Sequence, residues 1–129
     1  MDPATAMFRR DRASRSLGIE LLDVGADHAR TRLRVTDELL NGHGTVHGGV
    51  IFLLADTAFG CASNSGDEER TIASATIEYL EPATAGAELI AEARLRAREG
   101  RSAVYDVTVT SGDHVIAEFR GRSQRRRRP

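Results

Sequence analysis

The twelve residues from Val50 to Cys61 constrain this chain more than any other stretch, because they are apolar almost all the way round. Ile51, Phe52, Leu53, Leu54, Ala55, Ala58 and Phe59 leave no hydrophilic side on a helix, and a helix of that kind has to be buried. Whatever else the chain forms must wrap that segment. Its one charged residue, Asp56, sits in the middle.

The remaining segments read mostly as strands. From Ile19 to Val35 the pattern has period two, clearest where Ala29, Thr31, Leu33 and Val35 alternate with Arg30, Arg32 and Arg34. That is a half-buried antiparallel strand, and Gly25 to His28 is the turn that makes the segment a hairpin. Four strands follow the helix: Thr71 to Leu80, Glu88 to Arg98, Ala103 to Thr110 and Val115 to Arg122. Glu99-Gly100 and Ser111-Gly112-Asp113 are the turns between the last three. Residues 86 to 98 are also rich in helix formers. The alternation of Leu89, Ala91, Ala93, Leu95 and Ala97 against Glu92, Arg94, Arg96 and Arg98 decides for a strand, since those five inward positions scatter around a helix. Residues 2 to 13 read as a short polar helix with Asp2 as cap and Pro3 at its first position, ended by Ser16 to Gly18. Residues 41 to 49 and 62 to 70 are loops. The expected fold is α+β, antiparallel strands wrapped around one central buried helix in a hotdog-like arrangement.

A chain of 129 residues suits one domain, here 1–122, followed by a basic tail, 123–129, expected to be disordered and solvated. A domain of this size buries only part of its surface alone, which favours oligomers. The formal net charge is −1. Six arginines fall in the last ten residues, so the other 119 carry twelve basic and nineteen acidic side chains, a net −7. A body of that sign is a poor nucleic-acid partner. One cysteine, Cys61, excludes an internal disulfide framework and suits a reducing compartment. No stretch reads as a signal peptide or membrane span, so a cytoplasmic location is expected, with no membrane partner.

Two features of the central segment carry chemistry. A carboxylate inside an apolar helix is disfavoured in its charged form unless something compensates. Asp56 therefore either accepts structural hydrogen bonds, holding a dimer in register, or is kept for function. Immediately before the helix stands His47-Gly48-Gly49. The first N–H groups of a helix lack internal partners and carry partial positive charge, and glycine lets a ligand approach the backbone. The Gly48 N–H can thus meet an oxyanion that develops as a carbonyl is attacked; the bland alternative is a glycine pair needed for a tight turn. Gly48 and Asp56 lie eight residues apart, about 12 Å along a helix at 1.5 Å per residue. One reacting carbon cannot touch both within a chain. Two central helices packed antiparallel about a two-fold axis would bring Gly48 of one near Asp56 of the other, creating two equivalent sites.

The run from Asn41 to Asp56, with Leu17-Gly18, Asn64, Glu81-Pro82-Ala83, Gly86, Gly100-Arg101 and Gly112, resembles the PaaI-type hotdog thioesterases of phenylacetic acid degradation. The resemblance spans nearly the whole chain. It implies an acyl-CoA thioesterase whose substrate is an arylacetyl-CoA, phenylacetyl or hydroxyphenylacetyl, with no metal or redox cofactor, CoA being part of the substrate. It implies a homotetramer built from dimers. Asp56 would be the catalytic carboxylate, as general base or as nucleophile, and Gly48 the oxyanion donor. Asn41 would position water or thioester, His47 would orient the loop and border the pocket, and Ser74 would assist the attacking water. Other acyl groups (hydroxybenzoyl, dihydroxynaphthoyl, medium-chain) and a non-catalytic acyl-CoA-binding protein are the rival readings. A dehydratase of the same fold is disfavoured, since no histidine follows Asp56 within a turn.

Other signals are weaker. His43 and His47 sit in a glycine-rich loop with no third ligand at metal spacing. Cys61 has no activating base nearby in sequence and reads as a small core residue. His28 and His114 fall at strand turns, and the arginine tail reads as a solvated end rather than a site for CoA phosphates.

Overall fold

A computed structural model of the chain describes residues 1–126. Helices α1 (Pro3–Arg9) and α2 (Arg12–Ser16) precede strands β1 (Glu20–Gly25) and β2 (His28–Arg34). A 3₁₀ turn (Asp37–Leu39) and a loop lead into the long helix α3 (Gly48–Ser63). Strands β3 (Arg70–Tyr79), β4 (Glu88–Glu99), β5 (Ser102–Ser111) and β6 (His114–Arg125) complete the chain. All six strands join one antiparallel sheet in the order β1-β2-β4-β5-β6-β3. The layer arrangement expected from sequence is therefore the one formed, with β1 and β3 as its edges.

The sheet wraps one side of α3. Leu54, Ala55, Ala58, Phe59 and Ala62 of the helix are fully buried. They meet Ala29, Thr31 and Leu33 of β2, Leu89, Ala91 and Ala93 of β4, and Tyr105 and Val107 of β5, all buried likewise. Small side chains on both layers bring the helix close, and the Thr31 hydroxyl donates to the Leu54 carbonyl at 3.1 Å, which satisfies a buried polar group. Phe59 fills the middle, its ring 5.6 Å from that of Tyr105 and 5.8 Å from that of Phe119. Gly121 on β6 makes room for it: an added Cβ there would stand 2.5 Å from the Phe59 ring.

The other side of α3 is only half covered. Val50, Phe52, Leu53 and Asp56 are partly exposed. Phe52 packs on Phe119 of β6, its ring 5.3 Å away, while Leu53 and Asp56 lie beside α1 and the turn into α2, where sequence predicted a single helix over 2–13. Asp2 caps α1 as expected, accepting from the Thr5 N–H at 2.8 Å. The helix then breaks because Asp11 takes an extended conformation and caps a second one, accepting from the Ser14 N–H at 3.0 Å. The Ser14 hydroxyl, fully buried, lies 2.8 Å from that of Thr57 and so pins α2 to α3.

Two further expectations need correction. Residues 123–125 are not a disordered tail: β6 continues to Arg125, paired with both β5 and β3, and the buried Ser123 hydroxyl accepts from that of Ser63 at 2.7 Å. Of the predicted tail, 127–129 lie outside the described residues. Ala97, expected to point inward, is exposed, because the pairing of β4 with β5 slips between Leu95 and Ala97. A bulge reverses the face on which later side chains fall.

Candidate active site

Asp56 stands on the half-covered side of α3, in the wall of a cleft of about 480 Å³ between α1, α3 and the start of β3. Met7, Phe8, Leu53, Cys61 and Ile72 make much of that cleft apolar, with Arg10 and Asp11 at one side. Among the described residues no donor reaches the Asp56 carboxylate, so a structural role as hydrogen-bond acceptor within its own chain falls away. Burial among those side chains pushes its pKa above the ordinary carboxylate value, and the Asp11 carboxylate adds like-charge repulsion in the same direction. A carboxylate with raised proton affinity and free lone pairs is suited to taking a proton from water or attacking an acyl carbon.

The second cluster lies at the N-terminus of α3. His47 caps that helix, its Nδ1 accepting from the Gly49 N–H at 3.0 Å. That bond leaves the proton of the neutral ring on Nε2, which points out of the cap. The Val50 and Ile51 N–H groups bond the His47 carbonyl at 2.9 and 3.2 Å. The Gly48 N–H makes no hydrogen bond among the described residues and remains free for a ligand at the positive end of a helix dipole. Asn41 holds the preceding loop: its side-chain oxygen accepts from the His43 and Thr45 N–H groups at 2.9 and 3.2 Å, and its amide donates to the Thr45 hydroxyl at 3.1 Å. The His47 N–H bonds the Leu39 carbonyl at 2.9 Å, which draws this loop back beside the helix start.

Asn41, His47 and Gly48 are thus brought together, and Asp56 stands two turns away on the same helix. A single chain does not assemble all four around one carbon. Ser74 joins neither group. The β3–β6 register slips between Ile72 and Ser74, pairing Ile72 with Ser123 but Ser74 with Arg122. Ile72 and Thr71 consequently enter the Asp56 cleft. Ser74 turns out with Thr76 and Glu78, opposite the half-buried Ala75 and Ile77. Without that bulge Ser74 would share the face of Ile72.

Tyr79, at the end of β3, was not singled out from sequence. Its hydroxyl donates to the Gly48 carbonyl at 2.8 Å, and its ring stands 3.2 Å from where a Cβ on Gly48 would lie. A side chain at 48 would press on this ring and crowd the approach to the N–H. Alternation with Ala75 and Ile77 carries Tyr79 to the helix side of the sheet, yet only the register shows which end of α3 it meets.

No group of three His, Cys, Asp or Glu side chains among the described residues is arranged to hold a metal ion. Burial pushes the Cys61 thiol up to about 12, which leaves it protonated and inert at neutral pH. No helix among the described residues is long and apolar enough to cross a membrane.

The family model of the thioesterase superfamily matches residues 43–118, the span from the glycine-rich loop to β6. The chain belongs to the thioesterase superfamily. It is 37% identical over 123 residues to the acyl-coenzyme A thioesterase PaaI of Escherichia coli K12, covering 95% of this chain and 88% of that protein. The solved structure of the E. coli PaaI protein, from the phenylacetic acid degradation operon, superposes with a TM-score of 0.93 at 36% identity, over 97% of this chain and 91% of that one. The smu.793 protein of Streptococcus mutans, solved bound to acetyl CoA, superposes with a TM-score of 0.80 at 26% identity, over 84% of this chain and 89% of that one. The thioesterase hotdog fold read from the sequence is the fold of this chain.

Proposed function

We propose that this protein hydrolyses acyl-CoA thioesters with aryl-type acyl groups, phenylacetyl-CoA or hydroxyphenylacetyl-CoA, to free acid and CoA during phenylacetate degradation in the cytoplasm. The observation that carries the reading is Asp56: a carboxylate held at raised proton affinity in an apolar cleft, with no hydrogen-bond donor among the described residues. Its likeness to E. coli PaaI and to a CoA-bound relative supports the class of substrate.

In this reading Asp56 takes a proton from water as the water oxygen bonds the thioester carbon, or bonds that carbon itself to form a mixed anhydride that water then hydrolyses to the free acid. The oxyanion receives the free Gly48 N–H. Breaking the C–S bond releases the CoA sulfur, which leaves as a thiol once protonated. His47 and Asn41 hold the Gly48 loop in place, and the reaction needs no metal or redox cofactor. The roughly 12 Å that eight residues of helical rise put between Gly48 and Asp56 requires two chains, with the site formed across a homodimer. Support for such a dimer comes from the half-covered side of α3 and from the β3 edge, where Ile72, Tyr79 and Leu80 are each about half exposed. Pairing of dimers into a homotetramer belongs to the same proposal, by likeness to the family.

Thiol release from phenylacetyl-, hydroxyphenylacetyl-, benzoyl-, dihydroxynaphthoyl- and straight-chain acyl-CoAs tests the assignment. The highest kcat/KM is expected for the arylacetyl members. Turnover concentrated elsewhere would keep the mechanism and discard phenylacetate metabolism. CoA binding without turnover of any member would make this a binding protein.

A further inference from the structure

We propose that the cleft beside Asp56 holds the acyl group and that α1 selects it, with Met7 and Phe8 as the side chains that set which acyl groups fit. The inference rests on the hydrolysis reading and goes beyond it, since nothing in that reading assigns α1 a part.

Position is the first argument. A thioester carbon within reach of the Asp56 carboxylate places the next atoms of its acyl substituent inside the same cleft, whose walls are Met7 and Phe8 on one side and Leu53, Cys61 and Ile72 on the others. Four of the five are large apolar side chains, as a pocket for an uncharged acyl group needs. Size agrees: about 480 Å³ exceeds what an acetyl group fills and accommodates an aromatic ring with its linker.

Rigidity is the second. A wall discriminates only if it stays in place. Ala4 of α1 and Ser14 of α2 are fully buried, and the contact between the Ser14 and Thr57 hydroxyls fixes the helical pair to α3 within one turn of Asp56. The Asp2 and Asp11 caps hold the two helices individually. Met7 lies over Gly60 of α3, its Cε 3.9 Å from where a Cβ would stand. Met7 thus reaches the helix surface and closes that side of the pocket. Met7 and Phe8 are partly buried and pack against the core from the α1 side while also lining the cleft.

The test is selectivity in Phe8→Ala, Met7→Ala and the milder Phe8→Leu, with acetyl-, hexanoyl- and phenylacetyl-CoA as substrates and a thermal melt on each protein. The ratio of kcat/KM for phenylacetyl-CoA to that for acetyl-CoA should fall by about tenfold or more in Phe8→Ala, and less in Phe8→Leu, because lost pocket contacts act only on an acyl group large enough to make them. A uniform change across the three substrates in the folded variants would overturn the role of α1 while leaving hydrolysis intact. Failure of the wild-type chain to cleave any of them would instead remove the hydrolysis reading itself. Phe8→Leu keeps an apolar side chain against α3, so a selectivity change in it stands even where Phe8→Ala is poorly folded.

Discussion

Asp56→Asn is expected to lose roughly 10²- to 10⁴-fold in kcat, the usual range for removing a positioned general base or its equivalent, while becoming more stable at neutral pH. The two effects have one cause. Burial and the Asp11 carboxylate raise the pKa of Asp56 in the folded chain above its ordinary value. The folded state therefore binds that proton more tightly than the unfolded state does. Above the folded pKa the ionised side chain is worse off folded than unfolded, so it lowers stability there. That penalty shrinks as pH falls through the raised pKa and is gone below the ordinary carboxylate range. Asparagine keeps the shape and removes the charge. Its advantage in melting temperature should be present at pH 7 and vanish toward pH 3.5. Kinetics on phenylacetyl-CoA and melts at the two pH values check both halves. Near-normal turnover would remove Asp56 from the mechanism. A loss of stability at pH 7 would mean that the carboxylate has a partner holding it charged.

Gly121→Ala is expected to be the most damaging small substitution in the sheet. The new Cβ would stand 2.5, 2.7 and 2.8 Å from three carbons of the Phe59 ring. That ring is itself fully buried and held between Tyr105 and Phe119. Neither the ring nor the β6 backbone, which pairs with Tyr105 on one side and Ala75 on the other, has room to yield. Overpacking of a close-packed core costs about 1–3 kcal/mol and more where the neighbour is rigid. A fall of roughly 10 °C in Tm follows for a domain of this length. Phe59→Leu in the same chain should recover part of the loss, and the two changes together should cost less than their sum. Denaturant or thermal melts of the three variants decide it. A Tm within a degree or two of wild type in Gly121→Ala would show that the Phe59 ring is free to move.

How far the sequence could be read depended on whether local pattern or pairing determined the outcome. The all-apolar run around Leu54 and Phe59 can only be buried, and the alternation through Ala29, Thr31, Leu33 and Val35 marks one face of a strand, so both features were legible. The free N–H of Gly48 followed from helix ends alone, whereas the cap at His47 emerged only from the structure. Ala97 went wrong because it follows a bulge, and a bulge is set by the register of the partner strand, which no local pattern contains. The break at Asp11 was not read from the sequence; the second helix is capped by Asp11 and pinned by the buried contact between Ser14 and Thr57. Residues 123–125 read as a charged tail because Gln124 and Arg125 face outward; Ser123, whose hydroxyl meets Ser63 in the interior, carried no such mark. Tyr79 needed the register of β3 to be placed at Gly48.

The central claim is that one active site draws Gly48 from one chain and Asp56 from another. Mixing two impaired variants, Asp56→Asn and Gly48→Pro, which removes the N–H at a helix position where proline is tolerated, after unfolding and refolding them together, tests it most directly. A random mixture is half heterodimer, and each heterodimer has one site with both native residues. Thiol release from phenylacetyl-CoA should then recover to about a quarter of the wild-type rate, from two proteins that show almost none alone. Verified heterodimers that stay as inactive as their parents would contradict a shared site.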